Sequence, residues 1–354
     1  MFNSLIRLFS AGTADLKSRL ALILGGLVLF NAATWLWALA SFHDKPALLG
    51  IALVIYGLGL RHAVDADHIA AIDNVTRKLM QAKKRPVAVG FFFAIGHSTV
   101  IVIVAAAVAS AATLLGRFQS FQAIGGTLST LVSALFLLAI AAMNIVIFVS
   151  IYKNYRRVSA GGAYVEDDFD ILLNKRGFLS RIFRPLFRLV TQSWHMLLLG
   201  FLFGLGFDTA TEVAMFGISA AQAAKGLPIE AILVFPALFA AGMSLIDSLD
   251  GIMMLGAYDW AFVKPIRKLY YNMTITLVSV IVALFIGGVE AFGLIGDQFS
   301  LKGGFWNVVG NLNDHFNTLG FGIIGLFVAA WLVSFVIYRV KGLDRLEIRI
   351  ADRT

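Results

Sequence analysis

Hydrophobic residues occur in eight long runs along this chain, and shorter polar stretches separate the runs. A helix needs roughly 20 mostly apolar residues to cross a bilayer, and each run meets that length. We therefore predict an all-α integral membrane protein with eight transmembrane helices. The predicted spans lie at about residues 20–42, 47–72, 87–114, 123–151, 194–222, 228–256, 270–294 and 318–338.

The composition supports a membrane protein and excludes soluble domains. Of the 354 residues, 59% are hydrophobic and only 14% are charged, whereas a soluble domain is about 45–50% apolar and about 25% charged. We therefore predict a single polytopic membrane domain over residues 1–354. The chain contains no Cys, which excludes a disulfide framework and a thiolate metal site.

The positions of the basic residues predict the orientation of the chain. Alternate gaps between the predicted spans, together with both tails, hold 24 Lys and Arg residues, while the other four gaps hold 4. Basic residues accumulate in cytoplasmic loops, so the N- and C-termini are predicted to be cytoplasmic. The net charge of +8 then reflects membrane topology, and no nucleic-acid partner is expected.

The cytoplasmic loop 152–193 contains a candidate surface helix at residues 177–190. Its three arginines, Arg181, Arg184 and Arg188, share one helical face, and Phe and Leu residues lie opposite. That amphipathic pattern is typical of a helix in the plane of the membrane surface.

Ionisable side chains concentrate in the second predicted span. Ionisable residues inside a span are costly and usually mark a transport pathway or a binding site. Arg61, His62, Asp65, Asp67 and His68 occur there within eight residues, in the pattern H-x4-D-H. Imidazole and carboxylate ligands suit Ni, Co, Zn or Mn, so this segment is a candidate metal site.

Helix geometry leaves two interpretations of this segment open. His62, Asp65 and His68 follow one another at i+3 spacing and cover a face of about 120°, whereas Asp67 points elsewhere. All four residues bind one ion only if the helix opens, and Gly57 and Gly59 favour such a distortion. The structural alternative is a buried ion-pair network in which Arg61 neutralises the aspartates.

Three further spans carry polar residues at candidate pathway positions. His97 in the third span lies at a depth similar to that of His62, and we add it to the candidate metal ligands. Asp208 and Glu212 share a helical face at i, i+4 spacing, and Asp247 and Asp250 are i, i+3 neighbours. The supporting pathway residues are Arg61, Ser98, Asp208, Thr209, Glu212, Asp247 and Asp250. The first, fourth, seventh and eighth spans are predicted to be outer supports.

Four segments of the chain resemble the motifs of the nickel/cobalt transporter (NiCoT) family. They read RHAVDADHI at 61–69, FFFAIGHSTV at 91–100, LGFDTATE at 205–212 and LFAAGMSLIDSLDG at 238–251. Two departures are mild, because the family pattern has Ser-Leu where this chain has Ala94-Ile95 and Thr where it has Ser248. These positions leave the preference between nickel and cobalt open.

The resemblance implies a secondary transporter for Ni²⁺, Co²⁺ or both in the bacterial cytoplasmic membrane. It implies a permease that works without an ATP-hydrolysing subunit, and it assigns metal handling to His62, Asp67 and His68. The metal ion is then the transported substrate, and no resident cofactor and no enzymatic activity are expected. The chain also lacks the G-x4-G-K-[ST] motif of nucleotide-binding loops.

Two other functions are alternatives to uptake. A nickel/cobalt exporter is expected to carry a His-rich cytoplasmic loop, and loop 152–193 contains no His. A membrane-embedded metalloenzyme, such as a His-rich hydroxylase or an intramembrane protease, needs more than the six His of this chain or an H-E-x-x-H motif. Uptake therefore remains the preferred hypothesis.

Overall fold

The computed structural model describes residues 14–82, 84–110, 115–159, 190–205, 210–261 and 265–340. Within these ranges every regular element is an α-helix. In chain order the helices are α1 (Ala14–Phe42), α2 (Pro46–His62), α3 (Ala66–Gln81), α4 (Val89–Ser110), α5 (Leu115–Ser159), α6 (His195–Phe203), α7 (Ala210–Ala224), α8 (Ile229–Ile232), α9 (Val234–Ala261), α10 (Pro265–Gln298), α11 (Gly304–Asp314) and α12 (Phe316–Val340).

Five stretches of helix in the described ranges are long and apolar enough to cross a membrane. They are Ala14–Phe42, Val89–Ala107, Thr130–Arg157, Ile229–Tyr258 and Met273–Gln298. The helix pairs α2–α3, bent by 51°, and α11–α12, bent by 80°, raise the number to seven if each pair forms one span. The protein is thus an all-helical, multi-pass membrane protein, as predicted.

The predicted count of eight spans goes beyond these seven. The fifth predicted span, 194–222, corresponds to the separate helices α6 and α7, of 9 and 15 residues. Residues 206–209 between them lie outside the described ranges. Both tails and residues 177–189 of the predicted surface helix also lie outside, so the orientation of the chain and that helix remain predictions.

Helix α9 lies at the centre of the described bundle and packs directly against α1, α2, α3 and α4. Glycines permit the closest of these contacts. A Cβ added at Gly59 of α2 would lie 2.2 Å from the carbonyl oxygen of Phe239, and one at Gly90 of α4 would lie 1.9 Å from that of Asp247. Small residues let helix backbones approach closely in membranes, and here they bring α2 and α4 onto α9.

Helix α3 is short, polar and enclosed by other helices. Fourteen of its 16 residues are buried, including Asp73, Asn74, Arg77 and Lys78. It contacts α9, α12 and α10, with smaller contacts to α4 and α5. Because hydrocarbon cannot satisfy such side chains, their burial inside protein explains how a polar half-helix is accommodated at the core of a membrane bundle.

Candidate metal site

The second predicted span breaks inside the H-x4-D-H segment. His62 is the last residue of α2, and Asp65 precedes the first residue of α3 with an extended backbone conformation. The amides of Val64 and Asp65 bond to the carbonyls of Arg61 and His62, at 3.0 and 2.9 Å, and close a tight turn. The opening of the helix that the sequence required for a shared site is therefore present, three residues beyond Gly59.

This break brings His62 and His68 together. In a straight helix six residues rise about 9 Å along the axis. In the structure the two imidazole centroids are 4.8 Å apart. The ring of His97, from α4, lies 5.0 Å from that of His62 and 4.9 Å from that of His68. The three rings thus form a nearly equilateral triangle.

The three histidines form a candidate metal centre, and we call them the histidine cluster. One nitrogen from each ring lies within 4.8 Å of the others, and the residues are only 1%, 0% and 3% exposed. The Nε2 atoms of His62 and His97 are 3.1 Å apart. Two ligands about 2.1 Å from one ion lie about 3.0–3.6 Å apart at angles of 90–120°, so this pair already has the spacing of metal ligands.

Glu212, in the first turn of α7, completes the cluster on one side. Its Oε1 lies 2.9 Å from His97 Nε2 and 3.8 Å from His62 Nε2. The carboxylate is 2% exposed. The sequence predicts Glu212 as a supporting pathway residue. In the structure it contacts two of the histidines directly.

Asp65 and Asp247 fix the orientation of two of the imidazoles. The Nδ1 of His62 lies 2.9 Å from Asp65 Oδ2, and Thr211 Oγ1 lies 3.2 Å from the same nitrogen. The Nδ1 of His68 lies 3.3 Å from both carboxylate oxygens of Asp247. An ionised carboxylate only accepts hydrogen bonds, so each contact assigns the proton to Nδ1, and in the neutral imidazole Nε2 then keeps its lone pair. Such carboxylate–histidine pairs are typical around metal sites.

Two cluster nitrogens are buried without a hydrogen-bond partner among the described residues. These are Nε2 of His68 and Nδ1 of His97. A buried polar atom without a partner is costly, and a bound cation satisfies an imidazole lone pair. The buried Nε2 of His68 is therefore available to bind an ion.

Aromatic rings close the apolar side of the cluster. Phe93, one turn before His97 on α4, meets His68 edge to face at 4.8 Å. Phe239 of α9 lies 5.5 Å from the ring of His62. Neither ring supplies a ligand, but both fill space next to the imidazoles and limit the water that reaches them. Phe93, Phe239 and Thr211 were not identified as site residues from the sequence.

The remaining predicted residues divide into three groups. Asp67 is half-buried and interacts electrostatically with His68 and Asp247. Ser98 and Asp250 are buried, and Ser98 Oγ and Asp250 Oδ2 have no hydrogen-bond partner among the described residues. Asp208 and Thr209 lie outside the described ranges.

Arg61 does not neutralise the aspartates in the described part of the chain. Its side chain is exposed, whereas Asp65 is buried against His62. Asp65 pairs with an imidazole and Asp247 pairs with another. The described contacts thus favour the metal-site interpretation over the ion-pair network.

A second polar network fastens α3 to its neighbours beyond the cluster. Asp73 accepts hydrogen bonds from the Tyr258 hydroxyl of α9 and from Ser279 Oγ of α10, the latter at 2.8 Å. Arg77 donates to Thr276 Oγ1 of α10 at 3.1 Å. Asn144 of α5 donates to Asn74 at 2.7 Å. Hydrogen bonds to α9, α10 and α5 therefore hold the polar helix α3 on three sides.

Comparison with known proteins identifies the family of the chain. Residues 48–337 match the NicO family, described as high-affinity nickel-transport protein. The chain is 58% identical over 350 residues to the high-affinity nickel transport protein of Cupriavidus necator, covering 99% of this chain and 100% of that protein. It is 45% identical over 308 residues to the nickel transporter NixA of Staphylococcus aureus, covering 86% of this chain and 89% of that protein.

A cobalt transporter is also among the relatives. The cobalt transport protein NhlF of Rhodococcus rhodochrous is 36% identical over 340 residues, covering 94% of this chain and 95% of that protein. No solved structure matches the chain. The family match extends from the second predicted span into the last, and it confirms the resemblance drawn from the four motifs. The chain belongs to the NicO (NiCoT) family of high-affinity nickel/cobalt transporters, which is a family of transporters and not of enzymes.

Proposed function

We propose that this protein is a secondary transporter that takes up Ni²⁺, Co²⁺ or both across the bacterial cytoplasmic membrane, and that the ion passes through the histidine cluster. The observation that carries the proposal is the convergence of three buried imidazoles, two of them from either side of a helix break. The names of the relatives, which include nickel and cobalt transporters, support the choice of cargo.

The donor atoms of the cluster match these two metals. Imidazole nitrogen suits late first-row transition metals, whereas Mg²⁺ and Ca²⁺ prefer oxygen ligands. His62, His68 and His97 supply nitrogen, and Glu212 supplies one carboxylate oxygen. The family resemblance also assigns metal handling to Asp67, whose half-buried position beside His68 suits it to passing the ion onward.

Charge balance explains the carboxylates around the cluster. A divalent ion sheds water on entering the bilayer, and a buried cation is costly unless it is paired and coordinated. Glu212, Asp65 and Asp247 are buried and contact the three imidazoles. Their negative charge compensates the ion while the neutral histidines bind it.

The chain-wide features support a single permease domain over residues 1–354. The 24-to-4 distribution of basic residues supports eight spans with both termini in the cytoplasm, with α6 and α7 together forming the fifth. Since the chain has no nucleotide-binding loop, the inside-negative membrane potential is the proposed driving force for cation entry, with no ATPase subunit.

Radiolabelled uptake tests the function and the site together. Cells expressing the wild type, His62→Ala or His97→Ala are given ⁶³Ni²⁺ or ⁵⁷Co²⁺. His315→Ala is the matched control because His315 is exposed and lies outside the cluster. We expect uptake by the wild type and by His315→Ala, and its loss in both cluster variants. Wild-type cells that match empty vector for both metals would overturn the transport proposal, and wild-type rates in both cluster variants would overturn the site.

Direction is tested in the same cells. Export is the alternative for this donor set, and the absence of His from loop 152–193 weighs against it. Cells are preloaded with ⁶³Ni²⁺ and transferred to metal-free medium. While the inside-negative potential is maintained and retains the cation, uptake predicts that expression does not accelerate the loss of label, and faster loss than in empty-vector cells would favour an exporter.

A further inference from the structure

Helix α12 contacts the broken span, although its sequence has the character of an outer support. It packs along α3, where Ile323 is buried in one hydrophobic cluster with Ala66, Ile69 and Ala70. Val64, inside the helix break, contacts the same cluster. The last helix of the described chain therefore lies directly behind the segment that joins His62 to His68.

Gly320 is the point of closest approach between α12 and the break. A Cβ added there would lie 1.6 Å from the carbonyl oxygen of Val64 and 2.8 Å from its carbonyl carbon. The Cα–H of Gly320 thus points at this oxygen, in the arrangement of a weak Cα–H···O contact. The neighbour is backbone, so it cannot avoid a side chain by changing its rotamer.

Other glycines of α12 do not share this constraint. Gly322 and Gly325 have no heavy atom within 4 Å of an added Cβ, and both are exposed. The helix therefore needs a glycine at 320 and tolerates larger residues two and five positions on. The requirement comes from the contact with Val64 and not from the conformation of α12.

Any side chain at position 320 must displace residues 63–65, the segment that sets the spacing of His62 and His68. Ordinary contact begins near 3.4 Å, so the Val64 carbonyl would have to move by about 1.8 Å. Val64 lies two residues after His62 and one before Asp65, which bonds to the His62 ring. A displacement of this size exceeds the roughly 1 Å that can cost about 100-fold in a preorganised site.

We propose that Gly320 is a positioning residue for the metal site, and that α12 acts as the support that holds the helix break in its ligand geometry. This inference rests on the proposed function, because it takes the histidine cluster as the cargo site. It assigns a role at the site to a helix outside the four family motifs. Gly320 acts on the ion only through Val64 and Asp65.

Co²⁺ spectroscopy of purified protein tests this role. The visible absorption of Co²⁺ reports the number and arrangement of its ligands, a property that a loss of general stability does not alter in the folded fraction. We compare the wild type with Gly320→Ala and with the matched control Gly322→Ala. We expect Gly322→Ala to reproduce the wild-type spectrum and affinity. Gly320→Ala is expected to change the spectrum and to weaken Co²⁺ binding about 10- to 100-fold.

A second pair of variants avoids the steric clash and keeps the test decisive if Gly320→Ala does not fold. Ile323→Ala removes buried contact between α12 and α3, while Ile324→Ala changes an outward-facing neighbour that is 36% exposed. We expect Ile323→Ala to shift the Co²⁺ spectrum in the same direction as Gly320→Ala and Ile324→Ala to leave it unchanged.

The outcomes separate the inference from the function on which it rests. A wild-type spectrum no different from that of His62→Ala would mean that the cluster does not bind Co²⁺, and the proposed site would fail. A normal wild-type spectrum that persists with unchanged affinity in Gly320→Ala, or in Ile323→Ala if the former does not fold, would overturn the positioning role alone.

Discussion

The Nε2 atoms of His62 and His97 face each other at 3.1 Å inside the bundle, although the two residues belong to different helices. Two nitrogen lone pairs this close repel unless a proton or a cation lies between them. Glu212 Oε1 approaches the same two nitrogens at 3.8 and 2.9 Å. Three candidate ligand atoms, from α2, α4 and α7, thus converge on one point. This geometry gives specific expectations for variants of these residues.

Replacing Glu212 by Gln tests whether charge is needed at this point. Gln keeps the size of the side chain but removes the negative charge that balances a divalent ion. We expect Glu212→Gln to lower the initial rate of ⁶³Ni²⁺ uptake by about 10- to 100-fold at equal protein in the membrane. Glu230→Gln is the control, since Glu230 is exposed. Equal rates for the two variants would remove Glu212 from the ligand set.

Asp247→Asn tests the carboxylate that orients His68. An amide accepts a weaker hydrogen bond than a carboxylate and can also present its NH₂ to the ring, so His68 loses its fixed tautomer. We expect the dissociation constant for Co²⁺ to rise about 10- to 100-fold, as measured by calorimetry on purified protein. The exposed Asp44 provides the control Asp44→Asn, which is expected to bind as the wild type does. Wild-type affinity in Asp247→Asn would mean that the contact with His68 does not contribute to binding.

Acidification is expected to weaken metal binding. Protons compete with the metal for imidazole nitrogen, so binding releases protons and its affinity falls as pH falls. We expect Co²⁺ affinity to be lower at pH 5.5 than at pH 7.5. Titrations in two buffers with different ionisation enthalpies measure the protons released. An affinity independent of pH, with no proton release, would contradict coordination by the histidines.

Tyr258→Phe tests the network that fastens α3. The change removes the hydroxyl that donates to Asp73 and leaves Ser279 as the remaining donor to that carboxylate among the described residues. A buried charged acceptor that loses a donor costs about 1–3 kcal/mol. We expect a lower Tm in detergent, together with an unchanged Co²⁺ spectrum, because the Tyr258 hydroxyl bonds to Asp73 and not to a histidine of the cluster.

The matched control for this variant is Tyr56→Phe. The half-buried hydroxyl of Tyr56 donates to Asn31 Oδ1 at 2.9 Å, so the change removes a neutral hydrogen bond. We expect a smaller loss, about 0.5–1.5 kcal/mol. A fall in Tm no larger for Tyr258→Phe than for Tyr56→Phe would show that the Asp73 network does not stabilise the bundle.

Much of the histidine cluster could be predicted from the sequence. Ionisable residues in apolar helices are rare enough that His62, His68 and His97 stood out, and the estimated depth of His97 placed it beside His62. The opening of the helix on which a shared site depends is also present, since α2 and α3 meet at a 51° bend between the two histidines.

Other features depend on contacts between distant parts of the chain, which periodicity does not reveal. The i, i+4 spacing of Glu212 indicated a polar face but not its contact with His97, 115 residues away. Gly320 carries no chemical signal of its own, because its role is defined by the carbonyl of Val64 behind it. The predicted and observed spans differ for a related reason: α6 and α7, of 9 and 15 residues, are each too short to cross alone, and hydropathy does not detect a break within an apolar run.

His62 and His68, two of the proposed ligands, lie on either side of a break in the helix. Straightening the span at this break would move His68 toward a position about 9 Å along the axis from His62, and their rings are now 4.8 Å apart. In the proposed site, ion affinity and the shape of the span therefore depend on the same few backbone torsions at residues 63–65. A rotation there that opened the bundle would also separate His62 from His68. Binding and release of the ion would then both follow from one change in the angle between α2 and α3.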